Sequence, residues 1–500
     1  MEKAKRFWAV QQNKVVYLAI LIVFIVIGFA APKGAESYGV WTLVPPVVMF
    51  LFVLTTRKIL EGFLWGSFLA VFMKYKAQTL TVYNDKLIEQ LSDPDNLSLI
   101  VIFMLFGCLI AVFEKSGVAA AFGEWASKKA KGGKMGLFIT YLMTLLLSID
   151  DYLSALTVGT CMTPVNDKFK TPREMNAMVL RTTAVPPCTL HPIGSWSIFI
   201  ASLLVANHFA APGKGMAEYM KMVPFLFYPI IIILVTLLAI IGIIPKIGPM
   251  KKAYARVAAG GSVSPEEIPE DETPEAADAV AAVAAEDVAQ KPVKKPAKII
   301  NFFIPIIVLL ASTIYFDMNI QMGLIVTVIV TAIVFIAQGI FNAEEYIETL
   351  LGGMKDMLML TVLLIVSFVV SNSVDEIGFT EYIVGITGSK VSAALLPFLI
   401  FAAFSITEFL VSLNWALYIM AIPILIPLCE ATGANPYLTI GALISAGIWG
   451  SNACFYSDAG IVVSASGKID LYRHGISTIP YALIALVLSA GAYLAAGFIF

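Results

Sequence analysis

Apolar residues run for long stretches along this chain, with short polar turns between them. An α-helix needs about 20 mostly apolar residues to cross a bilayer, and most of the runs are near that length. The pattern predicts an all-α polytopic membrane protein with about 11 transmembrane helices. The predicted spans are 15–31, 41–54, 59–73, 97–113, 174–208, 222–244, 299–316, 322–340, 354–371, 435–466 and 478–499.

The composition supports the same class. The chain of 500 residues is 59% hydrophobic and 14% charged, so a soluble domain of this composition would be nearly all core. The first apolar run follows a basic start, as a signal peptide does, but the many later spans favour an uncleaved first helix. The five cysteines lie in apolar stretches without paired spacing, which argues against a disulfide scaffold and against a zinc site.

Two further apolar segments, 135–168 and 392–430, are too long for one crossing and carry polar residues in mid-run. Lysine and arginine residues flank the first segment on both sides, and positive charge is enriched on the cytoplasmic side of membranes. Both ends of that segment are therefore expected on the cytoplasmic side. The polar tip favours a re-entrant hairpin, although two full crossings would return the chain to the same side.

The sequence around the two predicted hairpins repeats itself. Ser148-Ile-Asp-Asp-Tyr-Leu is matched by Ser405-Ile-Thr-Glu-Phe-Leu, and Met162-Thr-Pro by Met420-Ala-Ile-Pro. Each copy contains an odd number of crossings, so two tandem copies lie antiparallel as an inverted repeat. The predicted organisation is an N-terminal helix at 1–40, a first transmembrane repeat at 41–244, a linker at 245–298 and a second, inverted repeat at 299–500.

The linker at 245–298 differs in composition from the rest of the chain. It is charged and rich in proline and alanine, with few apolar residues to bury. We expect it to be cytoplasmic and largely disordered, with a transient helix near 275–290. A plain tether and a regulatory tail both fit this composition.

Asp150 and Asp151 lie side by side within the apolar run of the first hairpin, and Glu408 has the matching place in the second. An ionised side chain at the bilayer centre costs about 2.5–3.5 kcal/mol on insertion scales, so such groups need a proton or a cation that neutralises them. Adjacent side chains on a helix point about 100° apart. One of the two aspartates can therefore serve only as a helix cap. The pair predicts an intramembrane ion or proton site.

A long span with helix breakers follows each hairpin. The first span contains Pro186-Pro187, and the second contains Gly450-Ser-Asn-Ala-Cys. Broken helices at membrane depth supply carbonyl oxygens to cations, and their N-termini favour anions. The candidate ion- or substrate-binding residues are Asp150, Asp151, Ser154, Thr182, Thr183, Thr407, Glu408, Ser412, Asn414, Asn452, Ser457 and Asp458, with Na⁺ expected at Asp150 and Asp151.

Several of these side chains have alternative roles. Serine and threonine within spans usually bond back to their own helix, and Asp458 follows Ser457 at a place where a helix cap is also expected. His191 can titrate near neutral pH or make a structural hydrogen bond. Arg181 can pair with a hairpin aspartate, bind a substrate carboxylate, or extend to the cytoplasmic interface.

The stretches from Asp150 to Lys168 and from Arg181 to Trp196 resemble the NhaC-type sodium/proton antiporters of the ion transporter superfamily. Trp449-Gly-Ser-Asn-Ala-Cys-Phe-Tyr-Ser-Asp fits the C-terminal pattern of the same family. The likeness spans most of the chain outside the linker. The resemblance implies a bacterial inner-membrane secondary carrier that works by an elevator-like movement and forms a homodimer.

The chain departs from the family pattern at three places. Arg181 stands where the family usually has aspartate, and Gly450-Ser-Asn-Ala-Cys-Phe-Tyr stands where it has Gly-Asp-His-Cys-Ser-Pro. Leu410-Val-Ser-Leu-Asn-Trp replaces the usual Thr-Gly-Thr-Ser-Trp. The loss of acidic and imidazole groups and the gain of an arginine weaken the assignment to pure Na⁺/H⁺ exchange and raise the chance of a carboxylate or amino-acid substrate, as in the malate/lactate branch of the family.

The predicted function is secondary active transport, with Na⁺/H⁺ antiport by competition of cation and proton for buried carboxylates. The alternative is a Na⁺- or H⁺-coupled exchanger of a small carboxylate or amino acid. An enzyme is disfavoured because the sequence has no His-Glu-x-x-His, Gly-x-Gly-Asp or phosphate-loop motif. No cofactor is expected besides the transported Na⁺ and H⁺, and the expected partners are bilayer lipid, a small ion or organic substrate and a second copy, not nucleic acid. The expected location is the cell (inner) membrane, with the N-terminus cytoplasmic and the C-terminus extracytoplasmic.

Overall fold

The structure is a computed structural model, and every regular element in its described ranges is a helix, which confirms the predicted all-α class. Each predicted span from residue 41 onward falls on a helix or on a pair of helices. Most of the first predicted span, 15–31, lies outside the described residues. The structure describes residues 17–18, 20, 22–24, 26, 30–31, 38–56, 58–118, 121, 128–264, 298, 300–316, 319–379, 382, 391–411, 415–455 and 457–500.

The helices fall on both sides of the predicted linker, with short 3₁₀ turns between some of them. Before the end of the linker lie α1 (Val44–Thr56), α2 (Ile59–Tyr75), α3 (Thr79–Ser92), α4 (Pro94–Lys115), α5 (Gly133–Leu146), α6 (Asp151–Lys168), α7 (Arg173–Ala184), α8 (Ser195–Ala206), α9 (Gly215–Met222), α10 (Phe227–Ile241) and α11 (Pro249–Ala258). After it lie α12 (Ile300–Tyr315), α13 (Ile320–Ala337), α14 (Ala343–Asp356), α15 (Leu358–Asp375), α16 (Leu396–Val411), α17 (Trp415–Thr432), α18 (Pro436–Ala453), α19 (Asp458–Gly467) and α20 (Leu471–Ile499). The 3₁₀ turns are Gly39–Leu43, Lys76–Gln78, Pro186–Thr189 and Val223–Phe225.

Several described helical segments are long and apolar enough to cross a membrane. By length and composition, four segments pass on their own: Asn96–Lys115, Ile320–Ala337, Pro436–Gly467 and Leu471–Ile499. Two bent helix pairs raise the number to six if each pair is one span. Other apolar helices have 10–17 residues. The number of crossings, about 11, stays a prediction.

The first predicted hairpin, 135–168, is a pair of helices joined by a short turn. The first arm, α5, has 14 residues, or about 21 Å of helix, which is less than the roughly 30 Å of a hydrocarbon core. Asn166 Nδ2 donates to Thr140 Oγ1 (3.0 Å), and Ser154 Oγ donates to the carbonyl of Thr144 (3.2 Å), so the two arms pack along their lengths. These are the dimensions expected of a re-entrant hairpin.

The second predicted hairpin, 392–430, contains α16 and α17. Its tip, residues 412–414, lies outside the described residues, and so do the candidate ligands Ser412 and Asn414. The order of elements is nevertheless the same as in the first half. In each half two helices come first and an interrupted helix follows. The inverted relation between the halves stays a prediction.

Both spans with predicted helix breakers are interrupted. The first break, residues 185–194, follows α7 and contains the 3₁₀ turn Pro186–Thr189, because two prolines remove backbone donors from the helix. The second break, residues 454–457, separates α18 from α19. Cys454 has extended backbone angles there, and Ser457 starts the next helix as its N-cap.

The described chain forms two compact units. One consists of Met1–Val101, Leu358–Ser392 and Ile419–Gly433, and the other of Ile102–Met357, Ala393–Tyr418 and Ala434–Phe500. Each unit draws on both halves of the chain, so this division does not test the predicted repeats at 41–244 and 299–500. The α5–α6 hairpin, both breaks and α16 belong to the second unit, within which the candidate site lies.

The ordered chain extends further into the predicted linker, 245–298, than the composition indicated. Helix α11 is followed by a segment that is docked onto the start of α7. Arg256 makes a bidentate ion pair with Glu174 (2.8 and 2.9 Å), and the Arg173 amide donates to the Val263 carbonyl (3.0 Å). Residues 245–264 thus include a helix and a segment docked onto α7, and the bounds of the linker at 245–298 stay a prediction. Residues 265–297, including the predicted transient helix, lie outside the described residues.

Candidate functional site

The predicted acidic residues are buried. Asp150 is 7% exposed, Asp151 is 3% exposed and Glu408 is fully buried. Asp150 and Asp151 lie at the tip of the first hairpin, where the chain turns from α5 into α6. The amide of Ser195 donates to the carbonyl of Ile149 (2.8 Å), so the start of α8 holds this tip in place.

The two neighbouring aspartates have different tasks. Asp150 is the N-cap of α6, and its Oδ1 accepts a hydrogen bond from the Leu153 amide (3.0 Å). Capping satisfies an amide that the helix itself leaves open. Asp151 lies in the first turn of the same helix, and its Oδ1 has no hydrogen-bond partner among the described residues. The sequence left open which aspartate caps the helix, and the structure assigns that task to Asp150.

Other charged and polar groups surround the Asp151 carboxylate. Asp150 and Asp458 both act on it electrostatically, and the indole N–H of Trp196 interacts with it as a weak hydrogen-bond donor. In the described part of the chain, Trp196 Nε1 and the nearby Ser195 Oγ also lack hydrogen bonds of normal geometry. Buried polar atoms are almost always paired, so unpaired donors and acceptors in one place indicate a missing water, ion or proton.

Asp458 connects the first hairpin to the second break. The Tyr152 hydroxyl donates to Asp458 Oδ2, and the Ala459 amide donates to Oδ1 (2.9 Å). Ser457 is the N-cap of α19 and accepts from the Gly460 amide (3.1 Å). The capping role considered for Asp458 therefore belongs to Ser457, because Ser457 is the residue with non-helical backbone angles before the first turn.

Arg181 is completely buried and reaches the second break. Its Nε donates to the carbonyl of Ser451 (3.3 Å), and its Nη2 donates to the carbonyl of Cys454 and to Ser457 Oγ (2.8 Å). Extension to the cytoplasmic interface is therefore wrong for Arg181. The acceptors of its Nε and Nη2 lie on the second break and not on the hairpin aspartates. Nη1 has no partner among the described residues.

Glu408 lies on α16, packed against α18 just before the second break. A Cβ at Gly450 would lie 2.5 Å from the Cβ of Glu408, so only glycine allows this approach. Trp449 Nε1 donates to the Ser405 carbonyl (3.0 Å) and holds the same two helices together. Glu408 also acts electrostatically on the Tyr418 hydroxyl.

An aromatic cluster lies between the two acidic positions. Trp196, which adjoins Asp151, stacks on Trp415 with ring centroids 4.4 Å apart and meets Tyr418 edge-on at 5.8 Å. Tyr418 in turn adjoins Glu408. The cluster therefore joins the first half of the chain to the start of α17, the second arm of the second hairpin.

Four predicted hydroxyl ligands make hydrogen bonds to backbone carbonyls. The bonds run from Thr182 to Met178 (2.7 Å), from Thr183 to Val179 (2.6 Å), from Thr407 to Ala403 (3.2 Å) and from Ser154 to Thr144 (3.2 Å). Thr236 also donates to Thr182 (2.7 Å), and the hydroxyls of Thr144 and Thr183 lie 2.6 Å apart. The bonds of Thr182, Thr183 and Thr407 run back to their own helices, as is usual for serine and threonine in spans, whereas the Ser154–Thr144, Thr236–Thr182 and Thr144–Thr183 contacts join helices.

The remaining candidates border the site. His191 Nε2 lies 2.9 Å from Ser148 Oγ at the hairpin tip, which is the structural hydrogen bond considered for it. Asn452 Nδ2 donates to the Tyr228 hydroxyl (3.4 Å), and its Oδ1 is unpaired within the described ranges.

Sequence reasoning missed His474, which is fully buried on α20 and near Arg181. Its Nε2 lies 3.1 Å from the Gly460 carbonyl. Tyr152 was missed as well, although it directly follows the two aspartates. The position of Tyr152 directly after the two aspartates was an available signal, whereas His474 precedes the predicted span 478–499 and is brought to Arg181 by the fold.

Among the described residues, no group of three or more His, Cys, Asp and Glu side chains is arranged to hold a metal ion. The site instead combines a few carboxylates with carbonyl and hydroxyl oxygens, the hard ligands that alkali and alkaline-earth cations prefer. Such oxygens, and the negative charge of a few carboxylates, suit a monovalent cation or a proton better than a transition metal.

The fold agrees with the comparisons to known proteins. The family model described as the Na⁺/H⁺ antiporter family matches residues 187–498. The chain belongs to this family. As a member of the Na⁺/H⁺ antiporter family it is a secondary transporter and a multi-pass membrane protein, as the motifs predicted. The match begins two residues into the first break, after the α5–α6 hairpin, and continues to residue 498.

Individual relatives of this antiporter-family chain are distant. An uncharacterized protein of Haemophilus influenzae is 30% identical over 175 residues, which is 34% of each chain. The chain thus matches about a third of the length of this relative. The Alcanivorax borkumensis YdaH transporter has a similar fold, with a TM-score of 0.57, 13% identity and coverage of 84% of this chain and 89% of that one. Neisseria gonorrhoeae MtrF aligns over 95% and 97% of the two chains with 12% identity and a TM-score of 0.44.

Proposed function

We propose that this protein exchanges Na⁺ for H⁺, and that the two ions compete for the carboxylate of Asp151. The observation that carries the proposal is the unpaired Oδ1 of this buried carboxylate, within the electrostatic range of Asp150 and Asp458. Desolvation disfavours an uncompensated charge, and neighbouring negative charges disfavour it further. The site therefore requires a neutralising proton or cation.

The same oxygens serve both ions, which is why they exclude each other. A bound Na⁺ needs the ionised carboxylate, whereas a proton removes the charge that attracts Na⁺. Asp150 is the preceding residue in the chain. The two aspartates therefore titrate together and not independently. Ser195 Oγ, which is buried and interacts with the Asp150 carboxylate, is a further oxygen for the ion.

Exchange follows if only the neutralised site changes sides of the membrane. The hairpin tip, α8 and the second break are joined by the Ser195–Ile149 and Tyr152–Asp458 hydrogen bonds, so they move as one body. An elevator-like movement of that body carries the ion across. We place the protein in the inner (cell) membrane as a homodimer, with a cytoplasmic N-terminus and an extracytoplasmic C-terminus.

Exchange of a small carboxylate or amino acid has less support. That alternative depended on Arg181 as the group that binds the substrate carboxylate. Arg181 directs Nε and Nη2 at oxygens of the second break, so most of its binding capacity is used within the protein.

The test is transport in proteoliposomes that contain a pH-sensitive dye. An inward Na⁺ gradient should drive H⁺ out of the vesicles. Asp151→Asn should slow this exchange at least about 100-fold, because removing one partner of a buried ion pair costs about 3 kcal/mol or more. Asp85→Asn is the matched control, since Asp85 is exposed on α3, and it should leave the rate unchanged. Retention of the rate and of its pH dependence by Asp151→Asn would overturn the proposal.

A further inference from the structure

The oxygens of the second break accept from the Arg181 guanidinium and from Ser457, whose Oγ donates to the Ser451 carbonyl (2.9 Å) and whose amide donates to the Cys454 carbonyl (3.4 Å). Breaking a helix leaves carbonyl groups without their intrahelical donors, and in a bilayer each such group costs several kcal/mol if it stays unpaired. The carbonyls of Ser451 and Cys454 both accept from Arg181. Ser457 Oγ, 2.8 Å from Nη2, completes the set of three oxygens. A cation supplied by α7 therefore holds the break together.

The oxygens around this guanidinium are those expected of a cation site. They are two carbonyls freed by a broken helix and one hydroxyl, with the Asp458 carboxylate attracting the guanidinium from nearby. Broken helices of transporters use such oxygens to coordinate Na⁺. Ser457, Asp458 and Asn452 were predicted as ion ligands for this reason. The position is occupied by a charge that cannot leave.

We propose that Arg181 is a tethered cation that permanently fills the ion site of the second half, so that the carrier binds only one exchangeable Na⁺. The inference rests on the proposed function, because it assigns the exchangeable ion to Asp151. It makes Arg181 a residue that sets ion stoichiometry. Arginine suits this task because it stays charged in proteins and its planar fork donates in fixed directions.

The surroundings of Nη1 favour this role over binding of an anionic substrate. Nη1 approaches α20, where a Cβ on Gly475 would lie 3.7 Å away. His474 on the same helix turn donates through Nε2 to the Gly460 carbonyl, since a carbonyl only accepts. In the neutral ring Nδ1 is then an acceptor, and it is unpaired among the described residues. The Nη1 donor of Arg181 and the Nδ1 acceptor of His474 together suit a water molecule. A carboxylate would be repelled by the Nδ1 lone pair.

The first experiment counts bound Na⁺ by radiolabelled equilibrium binding to purified protein. The wild type should bind one Na⁺ per chain, and Arg181→Ala should bind two, because the emptied site accepts a free ion. Arg181→Lys is the matched control, and it should bind one because it keeps the charge. A folded Arg181→Ala protein that binds one Na⁺ would overturn the inference. Wild-type protein that binds none would instead overturn the proposed function.

A second experiment does not depend on Na⁺/H⁺ exchange. Millimolar guanidinium should raise the thermal unfolding temperature of Arg181→Ala and leave that of the wild type unchanged, because the free ion replaces the missing side chain. Arg181→Lys should show no rise. If guanidinium and Na⁺ both fail to stabilise Arg181→Ala, or if the variant does not fold with either ion present, the site does not accept a free cation and the inference is wrong.

Discussion

Different groups donate to the free backbone carbonyls at the two helix breaks. At the first break, the carbonyls of Pro186, Cys188 and Thr189 accept from the hydroxyls of Thr189 (2.7 Å), Ser197 (2.8 Å) and Tyr219 (2.6 Å). At the second break, the carbonyls of Ser451 and Cys454 accept from the Arg181 guanidinium. Neutral hydroxyls stabilise the first interruption, whereas the second combines the positive charge of Arg181 with the neutral hydroxyl and amide of Ser457.

This difference decides where negative charge is left without a compensating group. The arginine at the second break attracts Asp458, so that carboxylate has a permanent counter-charge nearby. The hydroxyls at the first break bring no charge to Asp150 and Asp151, which lie beside α8. On the proposed function, the half without a built-in cation is the half that takes one from solution.

The largest expected effect comes from Ser457→Ala. This change removes the N-cap of α19 and an acceptor of Arg181. A lost cap costs about 1 kcal/mol, and a lost hydrogen bond to a charged group costs about 2 kcal/mol. Thermal unfolding in detergent should therefore show a destabilisation of about 3 kcal/mol. The control is Ser489→Ala on α20, a buried hydroxyl that donates only to the Ala485 carbonyl of its own helix. If Ser489→Ala were equally destabilising, the second break would have no special dependence on charge.

An intermediate effect is expected from Tyr152→Phe. The ring stays in place, but the hydrogen bond between the first hairpin and Asp458 is lost. A hydrogen bond to a charged acceptor contributes about 2 kcal/mol, so the loss should be smaller than for Ser457→Ala. Na⁺/H⁺ exchange should slow as well, since α6 and α19 are no longer joined at the site. Both quantities can be measured on the same reconstituted preparation.

Tyr346→Phe is the matched control for that variant. Tyr346 is also a buried tyrosine, but it donates to a neutral carbonyl, that of Val328 (2.8 Å), far along the chain from the hairpin. Its loss should lower stability by about 1 kcal/mol and leave exchange unchanged. Equal transport by Tyr152→Phe and Tyr346→Phe would show that the link between the two halves does not matter for exchange.

The sequence predicted the elements that local patterns determine. Apolar runs of membrane length became helices, and Pro186-Pro187 interrupted a helix where the pattern indicated. Helix α11 was missed, since the composition of the linker hid a short amphipathic helix. That helix is held by the Arg256–Glu174 pair, whose residues are 82 positions apart in the chain.

The candidate site was predicted only in part, because contacts between residues far apart in the chain determine the rest of it. Burial of Asp150 and Asp151 followed from the hydrophobicity around them. Their division into a cap and an unpaired carboxylate depends on where α6 begins, which a difference of one residue decides. Arg181 could not be placed, because its partners at the second break are about 270 residues away in the chain. A long side chain chooses among distant acceptors only after the helices are packed.

The smallest effect is expected from Ser197→Ala, which tests the neutral half of the comparison. Ser197 Oγ donates to the Cys188 carbonyl at 2.8 Å, so the change leaves one carbonyl of the first break without its hydroxyl. A neutral hydrogen bond contributes about 1 kcal/mol, and water at the break can replace part of it. Unfolding should therefore shift by about a third of the Ser457→Ala change, and the apparent affinity for Na⁺ should stay the same. A shift as large as that of Ser457→Ala would mean that the charge of Arg181 adds nothing beyond its hydrogen bonds, because a single neutral donor would then stabilise a broken helix equally well.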